Sequence, residues 1–166
     1  ELDSDISPIL SGVKESINEV REISYNLHPH LLDRLGLNKA LESVINKISK
    51  ASGIKIEYEL DKVEKLLSAE AQIHFYRIIQ EALNNMVKHA RATEAKITIV
   101  KKRKRLVATV RDNGRGFDVR AVISRSNSKV GFGLANMRER VRLIGGKFSI
   151  KSKSDKGTEI KITILL

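Results

Sequence analysis

At 166 residues the chain can fold as one packed domain with an appended element. Its residues are 41% hydrophobic and 31% charged, and none is cysteine, so disulfides and thiolate metal sites are excluded. No apolar run approaches the roughly 20 residues that span a bilayer, and no secretory signal is visible. The net charge of +11 raises a nucleic-acid partner, but three tyrosines, four phenylalanines and no tryptophan leave little for base stacking. We therefore expect a solvated basic surface and no nucleic acid. The chain opens at Glu1 without a methionine, which predicts a piece cut from a longer protein.

Taken in order, Ile6, Leu10, Val13, Ile17, Val20 and Leu27 repeat at 4-3 spacing, with Ser24 as the polar interruption. That is a coiled-coil or bundle seam in need of a partner. Pro29 ends it. Leu37, Ala40, Leu41, Val44, Ile45 and Ile48 mark a second helix closed near Gly53, and Ile54, Ile56, Tyr58 and Leu60 alternate as a strand. Ser68 is the expected N-cap of a helix reaching about Ala90. Strands follow near residues 96–101 and 106–111. Between them Lys101, Lys102, Arg103, Lys104 and Arg105, the densest charge run, read as a hairpin turn. A loop is expected over residues 113–132, polar and lid-like from Ser124 to Lys129, then a helix over 134–144 stopped by Gly145 and Gly146. Strands over 147–152 and 158–165 close the chain as a hairpin. Short hairpins and interleaved helices predict an α+β fold: a two-layer sandwich with a mixed, mostly antiparallel sheet and helices on one face.

Three separated segments carry chemistry. On the helix after Ser68, Glu81, Asn85 and Lys88 share one flank, with His89 between that flank and the core. A carboxylate and an amide one turn apart offer two hard oxygens of the kind Mg²⁺ uses, and Lys88 could neutralise a phosphate. Alone, the same residues describe an ordinary solvated face. Asp112 shares parity with Leu106, Ala108 and Val110, which puts a carboxylate at a strand end on the apolar face. Alone, it could simply begin an Asx turn. Thr158 shares parity with Ile160, Ile162 and Ile164, so a hydroxyl joins that face. Gly114 and Gly116 allow a turn open to a ligand, and Gly131 and Gly133 precede Leu134, where a free helix N-terminus would suit phosphate.

As an ordered set these residues resemble the ATP-binding domain shared by gyrase, heat-shock chaperone ATPases, MutL and sensor histidine kinases. Glu81-x-x-x-Asn85-x-x-Lys88-His89 is similar to the family's Asn-containing helix. Asp112-x-Gly114-x-Gly116, Gly131-x-Gly133-Leu134 and Gly157-Thr158 are similar to its glycine boxes. Within that superfamily, Leu27-His28-Pro29-x-Leu31-Leu32-Asp33 and Gly133-Leu134-x-x-Met137-x-Glu139-Arg140 resemble the sensor kinases paired with helix-turn-helix response regulators.

The resemblance implies ATP and Mg²⁺ as ligands. It implies Asn85 on the metal, Glu81 on metal-bound water, and Lys88 and His89 beside phosphate. Asp112 would accept from the adenine amine with Thr158 assisting, and Gly131, Gly133 and Leu134 would close on phosphates. It also implies a cytoplasmic kinase region, with γ-phosphoryl transfer to a histidine and relay to a response regulator. Any membrane contact would come only through regions outside this chain. The subgroup's acceptor histidine is followed by Asp or Glu, and none of His28, His30, His74 and His89 is. Residues 1–30 are therefore expected to be the second helix of a hairpin that forms a homodimer in the intact protein, and residues 31–166 the ATP-binding domain. Two other readings are an ATP-hydrolysing conformational switch of the gyrase or MutL kind and a nucleotide-inert interaction module.

Overall fold

The computed structural model describes residues 30–124 and 129–166; the expected seam over 6–27, the break at Pro29 and the middle of the polar segment after Ser124 lie outside them. The first described element, α1 (His30–Ser52), is two helical pieces joined at Gly36, whose φ of 75° only glycine adopts at low cost. The predicted helix therefore starts afresh at Leu37, and Leu37, Ala40, Leu41 and Ile45 are fully buried. Asn38 fixes this start to residues 61–64. Its Nδ2 donates to the Asp61 carbonyl at 2.7 Å, its Oδ1 accepts from Val63 N at 3.2 Å, and its own N–H reaches Glu64 Oε1 at 3.1 Å.

After β1 (Lys55–Leu60), α2 (Ala69–Asn85) begins where Ser68 Oγ accepts from Ala71 N at 3.2 Å, the expected N-cap. Phe75, Ile78, Ile79, Ala82 and Leu83 bury its apolar stripe. The helix does not run unbroken to Ala90. Residues Met86–Ala90 form a π-helical turn ended by Arg91 in the left-handed region at φ 52°.

β2 (Glu94–Lys102) and β3 (Arg105–Asp112) form the expected hairpin, with Arg103 at φ 55° in its turn. The loop expected over 113–132 is a correction: α3 (Val119–Ser124) lies in it, and α4 (Lys129–Leu143) begins five residues before Leu134. Asp118 starts α3: its Oδ1 accepts from the N–H groups of Arg120 and Ala121. For α4, the spacing Val130, Leu134, Met137, Val141 continues upstream of the glycines. That apolar repeat outweighs the roughly 1 kcal/mol each glycine costs a helix. β4 (Gly146–Ser152) and β5 (Thr158–Leu165) complete the chain.

The strands form one sheet in the order β1-β2-β3-β5-β4, with β1 parallel to β2 and every other pair antiparallel. Alternation aims Ile97, Ile99, Leu106, Ala108, Val110, Ile160, Ile162 and Ile164 at α1, α2 and α4, and these side chains form a single core. The opposite face, with Lys96, Arg111 and Lys161, is open to solvent. This is the two-layer α+β sandwich expected. Adjacent residues of β3 test the layering. Leu106→Ala should cost about 2–5 kcal/mol in urea denaturation, and Val107→Ala, on the open face, about 1 kcal/mol or less.

Candidate functional site

The central strands β3 and β5 end and begin at the same place, where Asp112 is directly paired with Thr158. Parity puts the Asp112 carboxylate on the core side, and it is 9% exposed. Its Oδ1 accepts from Gly114 N at 2.8 Å, which is the Asx turn allowed by the sequence, and the Thr158 N–H also donates to the carboxylate. Burial nevertheless dominates and raises the Asp112 pKa above the ordinary aspartate value, with the two backbone donors opposing the rise. The Thr158 hydroxyl lies 2.9 Å from Ser152 Oγ, which also accepts from Phe117 N at 2.9 Å. Ser152, across the β4–β5 pair, thus orients the threonine and anchors the chain after Gly116. Sequence reading missed it, although a serine on β4 opposite Thr158 is the only signal it offers.

A cavity of about 190 Å³ opens over this pair. Ala82, Met86, Leu134, Ile150 and Ile160 give it apolar walls, and Asp112, Thr158, Asn85, His89 and Arg115 its polar groups. A mostly apolar slot with a few convergent polar groups is what a flat heteroaromatic ligand needs. A larger, shallower depression of about 390 Å³ lies over the open sheet face, lined by Lys55, Glu57, Lys96 and Arg111 among others. Apart from Ala95 and Asn113 its lining residues are charged.

Glu81 and Asn85 are half-buried, and Asn85 Nδ2 donates to Glu81 Oε1 at 3.2 Å. That leaves Asn85 Oδ1 and the second Glu81 oxygen without a hydrogen-bond partner among the described residues, two hard oxygens of the type Mg²⁺ takes. Gly133 makes the geometry possible. A β-carbon there would collide with Glu81 Oε1 and stand 3.2 Å from the Asn85 amide nitrogen, so α4 crosses at backbone distance. Asn85 faces the cavity, and Glu81 lies behind it under α4.

Several expectations need correction. Gly131 and Gly133 are inside α4, not in a turn before it, so no helix N-terminus is free at Leu134; Leu134 is instead a buried wall of the cavity. Lys88 is exposed and does not line the cavity, whereas His89, on the same π turn, does. Gly114 and Gly116 serve close backbone contact more than ligand access. Gly114 abuts the Ala90 carbonyl, and Gly116, at φ 58°, abuts the Lys153 carbonyl. Arg115, between them, was not anticipated. Its N–H donates to the Ala90 carbonyl and its Nε to the His89 carbonyl, both at 2.7 Å, which caps the π turn. Of the anticipated residues, Asn85, His89, Asp112, Gly116, Leu134 and Thr158 meet around the cavity; Glu81, Lys88, Gly114 and Gly133 do not line it.

A family profile described as "Histidine kinase-, DNA gyrase B-, and HSP90-like ATPase" matches residues 70–166, the span that carries every element of this site. The chain belongs to that ATPase family. Its ATP-binding domain is of the histidine-kinase kind. It is 33% identical over 161 residues to the signal transduction histidine-protein kinase/phosphatase DegS of Brevibacillus brevis, covering 96% of this chain and 40% of that protein. It is 36% identical over 151 residues to the sensor histidine kinase MctS of Rhizobium johnstonii, covering 91% and 32%. The chain therefore spans well under half of these relatives. In fold it is similar to the histidine kinase domain of a blue-light-activated kinase from Erythrobacter litoralis, with a TM-score of 0.63 at 20% identity over 79% of this chain and 59% of that one. Full-length ShkA, solved with AMPPNP, gives a TM-score of 0.59 at 17% identity over 77% and 28%.

The shift at Asp112 gives a test that needs no ligand. With its pKa raised in the fold, the native state holds this proton more tightly than the unfolded chain. Stability from this group is therefore lost as pH rises from the ordinary value of 3.8 through the raised one. Asp112→Asn should remove that loss. Denaturation midpoints of the two proteins should diverge in favour of the variant as pH rises through that window.

Proposed function

We propose that the chain binds Mg-ATP in this cavity and that the intact protein transfers the γ-phosphoryl group to a histidine nitrogen for relay to a response-regulator aspartate. The observation that carries the reading is the Asp112 carboxylate, desolvated at the head of an apolar slot and already held by two backbone donors. It is a fixed acceptor for an exocyclic amine, with Thr158 and Ser152 alongside for the neighbouring ring edge. Ile150, Ile160 and Met86 sandwich the base. Asn85 and Glu81 would hold Mg²⁺, directly through Asn85 Oδ1 and through water at Glu81. The ion would neutralise charge on the phosphates. His89 lines the same end, and Lys88 adds positive charge nearby on the solvent side. Gly131 and Gly133 let the start of α4 lie close to this end.

The acceptor imidazole is proposed to lie outside these residues, since no histidine here precedes an acidic residue and His89 belongs to the nucleotide cavity. The apolar seam over residues 6–27 would pair with it as a hairpin and form a homodimer. The response regulator would meet that assembly, in the cytoplasm. The sensor-kinase names of the long relatives favour this over a gyrase-like switch.

Calorimetric titration of the chain tests the site. Asp112→Asn should weaken adenosine and ATP alike by about tenfold to a hundredfold, the loss of one hydrogen bond to a charged acceptor. Asn85→Ala should weaken ATP only when Mg²⁺ is present and leave adenosine unchanged. Unaltered ATP affinity in both variants would refute the assignment. In the same preparation, little acid-labile phosphate should appear from labelled ATP; strong labelling of His28 or His30 would refute the placement of the acceptor.

A further inference from the structure

The basic run of residues 101–105 is not explained by a nucleotide site. It sits at the tip of the β2–β3 hairpin, and β3 runs from Arg105 at this tip to Asp112 at the cavity, so the two lie at opposite ends of the domain. All five cations are exposed. None of them forms an ion pair among the described residues, and the nearby Asp61 carboxylate is taken by the Lys101 backbone N–H at 2.7 Å. β1 stops its pairing at Leu60 with Ile99, so on that side the hairpin overhangs the sheet. The five consecutive residues 101–105 are all cationic.

Exposed aliphatic side chains occupy the same end. Leu165, directly paired with Arg105, is 67% exposed, and Leu143, at the end of α4 just before β4 begins, is 60% exposed. A solvated turn needs cations but has no use for leucines beside them. A nucleic acid would want stacking surfaces, and residues 101–105 include no aromatic. A flat layer of anionic headgroups over an apolar interior suits both components: mobile cations lie against phosphates while leucines enter the interfacial region.

We propose that this hairpin tip, with Leu165 and Leu143, docks the domain on the surface of a membrane rich in anionic phospholipid. The nucleotide cavity, at the far end of β3, then faces away from the bilayer and stays open. This inference is independent of the ligand assigned to the cavity.

Co-sedimentation of the full 166-residue chain with vesicles tests it. Binding is expected to phosphatidylglycerol–phosphatidylcholine vesicles at physiological ionic strength, and not to phosphatidylcholine alone. Each cation near such a surface contributes about fivefold to partitioning, so K102Q/R103Q/K104Q should bind roughly a hundredfold more weakly. Leu165→Ser should weaken binding several-fold. Far-ultraviolet circular dichroism and the unfolding midpoint of each variant should match wild type, which separates lost docking from lost fold. No binding to anionic vesicles would overturn the proposal. Equal binding to neutral vesicles, or undiminished binding by the triple variant, would assign the contact to another segment and overturn it too. Tighter binding to duplex DNA or to polyglutamate than to the vesicles would replace the lipid partner with that polyanion.

Discussion

The site depends on one carboxylate kept out of water. Asp112 ends an apolar strand face, and a charge there is costly unless donors meet it. Two backbone N–H groups do so, one from the turn it begins and one from the facing strand. The compensation is partial, since burial still raises its pKa. The remaining deficit is what a ligand amine would relieve, and the same geometry ties three segments together. Gly114 can follow only because it fits under the Ala90 carbonyl. Arg115 then clips the π turn, and the π turn turns His89 inward. Binding chemistry and local folding thus share one set of hydrogen bonds.

The other half of the site rests on a missing side chain. Gly133 lets α4 cross the Glu81–Asn85 pair at backbone distance, so the metal-type oxygens are sheltered between helices and only Asn85 opens to the cavity. Any side chain at this crossing would push α4 outward and separate the wall residue Leu134 from the apolar slot. Gly114, Gly116 and Gly157 likewise sit where a β-carbon would strike a neighbouring backbone carbonyl.

Much of this was legible in the sequence because it follows from period and parity. The strand alternation that set Asp112 and Thr158 on the core face holds residue by residue, and the Ser68 cap and the hairpin turn at Arg103 follow from local chemistry. The π turn was not legible. Met86 to Ala90 read as a further α turn, and winding that differs by one residue leaves no compositional mark. The start of α4 was hidden by treating Gly131 and Gly133 as breakers, when the apolar repeat through Val130 and Leu134 carries the helix across them. Ser152 and Arg115 escaped because their roles are tertiary: each acts on a backbone group far away in sequence. The seam over residues 6–27 lies outside the described residues.

The central claim is that the ends of β3, β5 and α2 converge on one ligand. Amide chemical shifts recorded during titration with ATP test it most directly. The account predicts that the largest changes cluster at Asn85, His89, Asp112, Gly114 and Thr158 and saturate with a single affinity. Changes centred on the open sheet face around Lys96 and Arg111, with Asp112 and Asn85 unmoved or saturating separately, would contradict it.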